Sequence, residues 1–155
     1  MQLEIADLSD PRRARAVVDL LDMYSQNEFG SSQPLPAEVR ERLVPGIRNH
    51  AGHLVFLAWD DDRPIGLAIC FVGFSSFKAK PLINIHDLAV APETRGRGVG
   101  RALLEAIEAE ARRRDCCRVT LEVRSDNLVA QNLYRRLGYE SSQPETWFWT
   151  RSLSE

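Results

Sequence analysis

Apolar residues recur along the chain with two periods, and the switches between those periods divide it into strands and helices. Leu3 and Ile5, with Leu8 beyond them, alternate as in a short half-buried strand. Ser9-Asp10-Pro11 then supplies a helix start, and Ala16, Val17, Leu20, Leu21 and Tyr24 follow at helical spacing on one face. This helix ends before Gly30. A loop containing Ser and Pro leads to Pro36, a favourable first-turn residue for a second helix, which Pro45-Gly46 is expected to kink or stop. Residues 54–59 and 65–74 read as strands, and the polar turn Asp60-Asp61-Asp62-Arg63 between them predicts an antiparallel hairpin. Residues 82–90 form a further strand. Residues 99–114 form a helix with Val99, Leu103, Ile107 and Ala111 on one stripe, and residues 119–123 another strand. A strand, helix, strand unit of this kind makes a right-handed crossover between parallel strands. Residues 127–137 are a last helix closed by Gly138, and Trp147-Phe148-Trp149 is expected to end the sheet as a terminal strand or hairpin.

Composition keeps this α/β picture within one domain. The 155 residues suffice for a sizeable core, and the 44% hydrophobic, 27% charged composition is that of an ordinary soluble globule. Cys70 and the vicinal pair Cys116-Cys117 offer neither a Cys-x-x-Cys metal spacing nor an even disulfide framework, so they suit a reducing compartment. The N-terminus lacks a basic segment, and the uncharged stretch at residues 65–77 is too short for a membrane span. The expectation is a cytoplasmic protein with no membrane partner.

Charge adds a weak asymmetry. The net charge is −2, but residues 93–136 hold ten Arg against seven Asp and Glu. A basic half suits a polyanionic ligand, and an acidic remainder attracts a cationic amine, although solvated helix faces explain the same counts. Nucleic acid is not expected, because phosphate neutralisation calls for a strongly basic domain.

The candidate chemistry lies in Arg95-Gly96-Arg97-Gly98-Val99-Gly100, after an apolar strand and at the start of a helix. Residues without Cβ let backbone N–H groups converge on a phosphate, and the helix adds its N-terminal donors and partial positive charge. A nucleotide-triphosphate loop needs Lys and then Ser or Thr after its last Gly, whereas Arg101-Ala102 stands here. A dinucleotide fingerprint needs Gly-x-Gly-x-x-Gly; its third Gly is Arg101 counted from Gly96 and Leu103 counted from Gly98. The pattern Arg/Gln-x-x-Gly-x-Gly/Ala is met by Arg95, Gly98 and Gly100.

With this loop, the chain resembles the GCN5-related N-acetyltransferases (GNAT). Upstream, Ile85-His86-Asp87-Leu88-Ala89-Val90-Ala91-Pro92 is similar to the family's fourth strand. Downstream, Leu121-Glu122-Val123, Asn127, Ala130, Leu133-Tyr134 and Leu137-Gly138-Tyr139 follow the family's order. The specific part covers roughly residues 82 to 140. The resemblance implies a GNAT fold: a mixed sheet of six to seven strands flanked by about four helices, with splayed parallel fourth and fifth strands. It implies acetyl-CoA as donor, no metal, and a direct attack by an amine. Backbone groups of Leu88, Ala89 and Val90 would bind the pantetheine arm. The loop residues Arg95, Gly96, Arg97, Gly98, Val99, Gly100 and Arg101 would hold the phosphates, with Asn127 and Tyr134 also at the cofactor.

Catalytic roles follow from the same resemblance. Tyr134 matches the family's general acid. The base is less defined, since the strand Glu of many relatives is absent at both Asn84 and His86. His86 is the first candidate, because histidine titrates near neutral pH; Glu28, Asp87, Glu122 or an ordered water are alternatives. Simple alternation puts Asn84, His86, Leu88 and Val90 on one face and Ile83, Ile85, Asp87 and Ala89 on the other, provided no bulge intervenes. Asn127 is equally well placed as a helix N-cap. Asn27, Glu28 and Asn84 are candidate substrate residues.

The acceptor is expected to be a small-molecule amine. The loop Phe74-Ser75-Ser76-Phe77-Lys78-Ala79-Lys80-Pro81 is loosely similar to diamine and polyamine N-acetyltransferases. A protein N-terminus or lysine is the alternative acceptor, and a non-catalytic acyl-CoA sensor is the alternative of another class. Family members are often dimers, so a homodimer is among the expected partners.

Overall fold

In the computed structural model, which describes residues 1–153, Asp10 caps the first helix by accepting from the backbone N–H groups of Arg12 and Arg13. The elements run β1 (Gln2–Ile5), α1 (Pro11–Ser25), α2 (Ala37–Asn49), β2 (His53–Asp60), β3 (Arg63–Ser75), β4 (Lys80–Val90), a single-turn 3-10 segment (Pro92–Thr94), α3 (Val99–Arg113), β5 (Val119–Leu121) and α4 (Leu128–Arg136). Two compact units result, Met1–Arg124 and the chain from Ser125 onward.

All five strands belong to the first unit and pair in the order β1-β2-β3-β4-β5. The first three junctions are antiparallel and β4–β5 is parallel. The acidic turn between β2 and β3 closes tightly, with Asp60 opposite Arg63 and Asp61 at φ 52, a conformation that Asp tolerates.

The sheet buries both faces, which is why β2 and β3 are nearly continuous apolar runs. On one face, Val55, Leu57, Trp59, Leu67 and Ile69 pack with Ala16, Val17 and Leu20 of α1 and Val44 and Ile47 of α2. On the other, Val99, Leu103, Leu104, Ile107 and Ala111 of α3 are buried, as the predicted stripe requires. Cys70 is buried in β3, and burial pushes its thiol up to about 12.

The mixed α/β sheet and four α-helices are those expected, with three differences. The sheet has five strands among the described residues, not six or seven. Trp147, Phe148 and Trp149 join no strand and are 70%, 76% and 83% exposed. Aromatic β propensity makes a strand only where a neighbouring edge supplies its hydrogen bonds. Helix α2 also runs through Pro45 to Asn49, because buried Val44 and Ile47 hold both sides of the proline in the core.

Candidate active site

Strand β4 carries the first part of the site, and its register determines which atoms are available. It pairs with β5 only at Ile83–Val119, Asn84–Thr120 and Ile85–Leu121, and from His86 to Val90 no strand among the described residues pairs with it on that side. On its other side Ala91 N–H donates to Ile65 O at 2.9 Å. Antiparallel alternation therefore directs the backbone groups of Ala89 toward Leu67 of β3, and those of Leu88 and Val90 toward the side that β5 has left. Pairing between the two parallel strands thus stops at Leu121, and β5 ends two residues short of the expected 119–123.

A bulge changes the faces of β4. Ile69 opposes Asp87 and Cys70 opposes Ile85, so His86 is the extra residue. Simple alternation fails there. Asn84, opposite Phe71, shares the α1 face with Asp87 and Ala89, whereas Ile83 and Ile85 share the α3 face with Leu88 and Val90. His86 is exposed, with its ring 5.8 Å from that of Phe71 in an edge-on contact. Asp87 is half-buried, and burial pushes its carboxyl above the usual carboxylate range, an effect that His86 partly offsets. Tyr24 of α1 faces the same region: burial and the Asp87 charge raise its phenol, and Arg124 opposes them.

The loop from α1 to α2 comes to this face along a defined path. Asp22 accepts from Leu35 N–H at 2.8 Å, and Ser31 N–H donates to Ser25 O at 2.9 Å. Gly30 allows the close return, since a Cβ there would meet Tyr24 O at 2.6 Å. Arg124, just beyond β5, donates to Glu28 O at 3.1 Å, and its guanidinium lies 5.6 Å from the ring of Phe29. Of the polar candidates, Asn84 donates to Thr120 Oγ1 at 3.1 Å and so ties β4 to β5. Asn27 donates to Met23 O at 3.2 Å at the end of α1.

The second part of the site follows β4 directly. Gly96 and Gly98 have φ of 76° and 83°, which L side chains rarely adopt, and a Cβ at either would enter open space. Conformation, not crowding, requires glycine at both. Gly98 caps α3 without a side-chain bond, and the first helical bond runs from Ala102 N–H to Gly98 O. The N–H groups of Val99, Gly100 and Arg101 precede that bond, and no acidic residue occupies the first turn. Arg97 pairs with Asp60 at 3.3 Å and Arg101 with Glu105 at 2.8 Å; both are exposed pairs that exchange readily for a phosphate. An open anion cradle thus follows a strand edge whose outward-directed backbone groups have no strand partner among the described residues, which suits a pyrophosphate joined to an amide-bearing arm.

Residues 17–139 match the model of the Acetyltransferase (GNAT) family. The chain belongs to this family. GNAT acetyltransferases are enzymes that take their acetyl group from acetyl-CoA, and the cradle and the β4 edge fit that donor in kind. The Uncharacterized N-acetyltransferase YhfO of Bacillus subtilis (strain 168) is 29% identical over 142 residues, covering 90% of each chain. A crystal structure of "a probable acetyltransferase" superposes with a TM-score of 0.82 at 27% identity, covering 100% of both chains. An aminoglycoside acetyltransferase from an uncultured soil metagenomic sample shares the fold, with a TM-score of 0.79 at 20% identity over 97% of this chain and 96% of that one.

The GNAT motif extends into the second unit. There Asn127 caps α4, its side chain accepting from Ala130 N–H at 3.1 Å, in line with the N-cap reading. Tyr134 is half-buried on α4, with its ring 6.0 Å from that of Tyr139. The first unit by itself brings together His86, Asp87, Leu88 and Val90, and also Tyr24, Phe71 and Arg124. Phe71 was hidden within an apolar run; for Arg124 the only signal was a cation at the end of the shorter parallel strand. Among the described residues no cluster of His, Cys, Asp and Glu could hold a metal ion, and no helix is long and apolar enough to cross a membrane.

Proposed function

We propose that this acetyltransferase acts on a primary amine of a small molecule, by direct attack without a covalent acetyl-enzyme. The observation that carries the reading is the parting of β4 from β5, with Leu88 and Val90 directed to the opening and Asp87 and His86 next to it. Acetyl-CoA, when bound, supplies the acetyl group as an activated thioester. The N–H groups of Leu88 and Val90 would bind along the strand edge, and a donor aimed at developing negative charge contributes roughly 2.7–4 kcal/mol in acyl-transfer sites. Val99, Gly100 and Arg101 would hold phosphate oxygens by their backbone N–H groups, with Arg95, Arg97 and Arg101 supplying charge.

Only about one amine in ~2,500 is neutral at pH 7 if its pKa is ~10.4, so the chain must take up a proton. His86 is the proposed base, directly or through water, and Asp87 its neighbour with raised basicity. Tyr134, at the family's tyrosine position, is the proposed proton donor to the leaving sulfur. The aminoglycoside acetyltransferase of the same fold supports a small-molecule acceptor as one use of this architecture.

The reading is tested by acetyl-CoA-dependent thiol release over polyamines, amino acids, aminoglycosides, and lysine or N-terminal peptides, with CoA binding followed by calorimetry. Turnover of a small amine supports it. Turnover confined to peptides replaces the acceptor, and CoA binding without turnover on any member overturns the reading.

A further inference from the structure

The ring of Phe71 has a second neighbour. His50, just past α2, lies 4.5 Å from it, and the two form one wall of an open depression of about 440 Å³. Val39, Leu43 and Ile47 of α2 supply the rest of its apolar lining, and Arg42 and His50 are its polar members. The size is that of a small-molecule pocket. It is continuous with the active-site face, since rings of His50, Phe71 and His86 follow one another from the depression to the bulge of β4.

The charges along this path have a direction. At the bulge stands Asp87, with Tyr24 beside it. At the other end stands Arg42, which is exposed and makes no ion pair among the described residues, unlike Arg40 of the same helix, paired with Asp22. An amine fits the first end and an anion the second, with an apolar stretch between them. A polyamine would bring another ammonium group against Arg42.

We infer that the acceptor is a primary amine with an apolar body and an anionic far end, its body lying on Phe71 and its anion at Arg42. The inference rests on the proposed amine acetylation and names the acceptor class of that same site. It assigns Arg42 as a specificity-determining residue and the α2 depression as the acceptor's tail site.

The test uses three acceptors of equal length: aminooctanoate, aminooctanamide and diaminooctane, whose far ends are anionic, neutral and cationic. Thiol release with the full chain and saturating acetyl-CoA gives kcat/KM for each. The expected result is a preference of about tenfold for aminooctanoate over diaminooctane. Arg42→Gln should remove the difference between aminooctanoate and aminooctanamide while the melting temperature is kept. Gly46→Met provides a second variant: Gly46 lines the depression and a Cβ there meets nothing within 4 Å, so the longer side chain is accepted without a backbone clash and should raise KM for all three by narrowing it. Preference for diaminooctane, or an anion-to-amide ratio unchanged in Arg42→Gln, overturns the inference and leaves amine acetylation standing. CoA binding without turnover on any small amine overturns both.

Discussion

Gly66 of β3 and Val99 of α3 meet where the glycine-rich loop becomes helix: a Cβ added to Gly66 would lie 2.7 Å from Val99 Cγ1 and 3.0 Å from Leu103 Cδ1. Gly66 is also the register partner of Val90. The missing side chain therefore sets the approach of the helix N-terminus to the strand edge proposed to bind the cofactor arm. Because Val99 and Leu103 are buried and cannot yield, Gly66→Ala should destabilise the fold by about 1–3 kcal/mol and weaken CoA binding. Thermal melts and calorimetry decide; parental values in both would mean that α3 has room to shift.

At Gly98 the requirement is different. Its Cβ position is open, but φ is 83°. Gly98→Ala should cost about 1–2 kcal/mol through the left-handed conformation. Gly98→Asp should in addition lower CoA affinity by more than about tenfold, by placing a carboxylate in the proposed pyrophosphate cradle. An Asp variant that is folded and binds CoA normally would remove the loop from the cofactor site.

His86→Ala and Asp87→Asn separate the two neighbouring bases. If His86 takes the proton, its loss abolishes the acidic limb of the pH–rate profile and Asp87→Asn only moves that limb. If Asp87 takes it, the pattern reverses. Stability provides an independent reading, because burial raises the Asp87 carboxyl and favours its protonated form in the folded state. Folding stability from this group therefore falls as pH rises from the ordinary range of an aspartate through the raised one. Asp87→Asn should be more stable than the parent at neutral pH, as chemical denaturation can measure.

Tyr134→Phe should lower kcat with little change in CoA affinity, since it removes a proton and leaves the ring. Wild-type turnover would end the role of Tyr134 as acid.

Glu110 provides a prediction away from the site. Its side chain is 7% exposed, and Arg113 and then Arg114 hold its carboxyl down from the ordinary 4.5 to about 2. A lowered folded-state value means that the contribution is complete above 4.5 and is lost as pH falls toward 2. Glu110→Gln should thus lose stability at neutral pH and show a flatter acid limb, read from melts between those limits.

The parts of this site legible in the sequence are those where backbone conformation restricts residue choice. Gly96 and Gly98 had to be glycine for their φ, and the apolar stripe of α3 had to face the sheet. The faces of β4 were not legible, because nothing in Ile85-His86-Asp87 marks a residue that the partner strand skips. That Asn84 and Asn27 each donate one side-chain hydrogen bond within the chain was not legible either, because their acceptors, Thr120 and Met23 O, are assigned only by folding. Arg124 needed the path of the α1–α2 loop before it had a partner. The aromatic run at residues 147–149 had strand propensity without a ladder.

The parting of β4 from β5 gives consecutive residues of one strand different clocks. The amides of Ala89 and Ala91 face β3 and exchange their hydrogens with solvent only when the sheet itself opens. Those of Leu88 and Val90 face the gap and need no such opening. A ligand bound along that edge would slow the second pair to the pace of the first, so that occupancy is written into the chain as an alternating pattern of deuterium uptake.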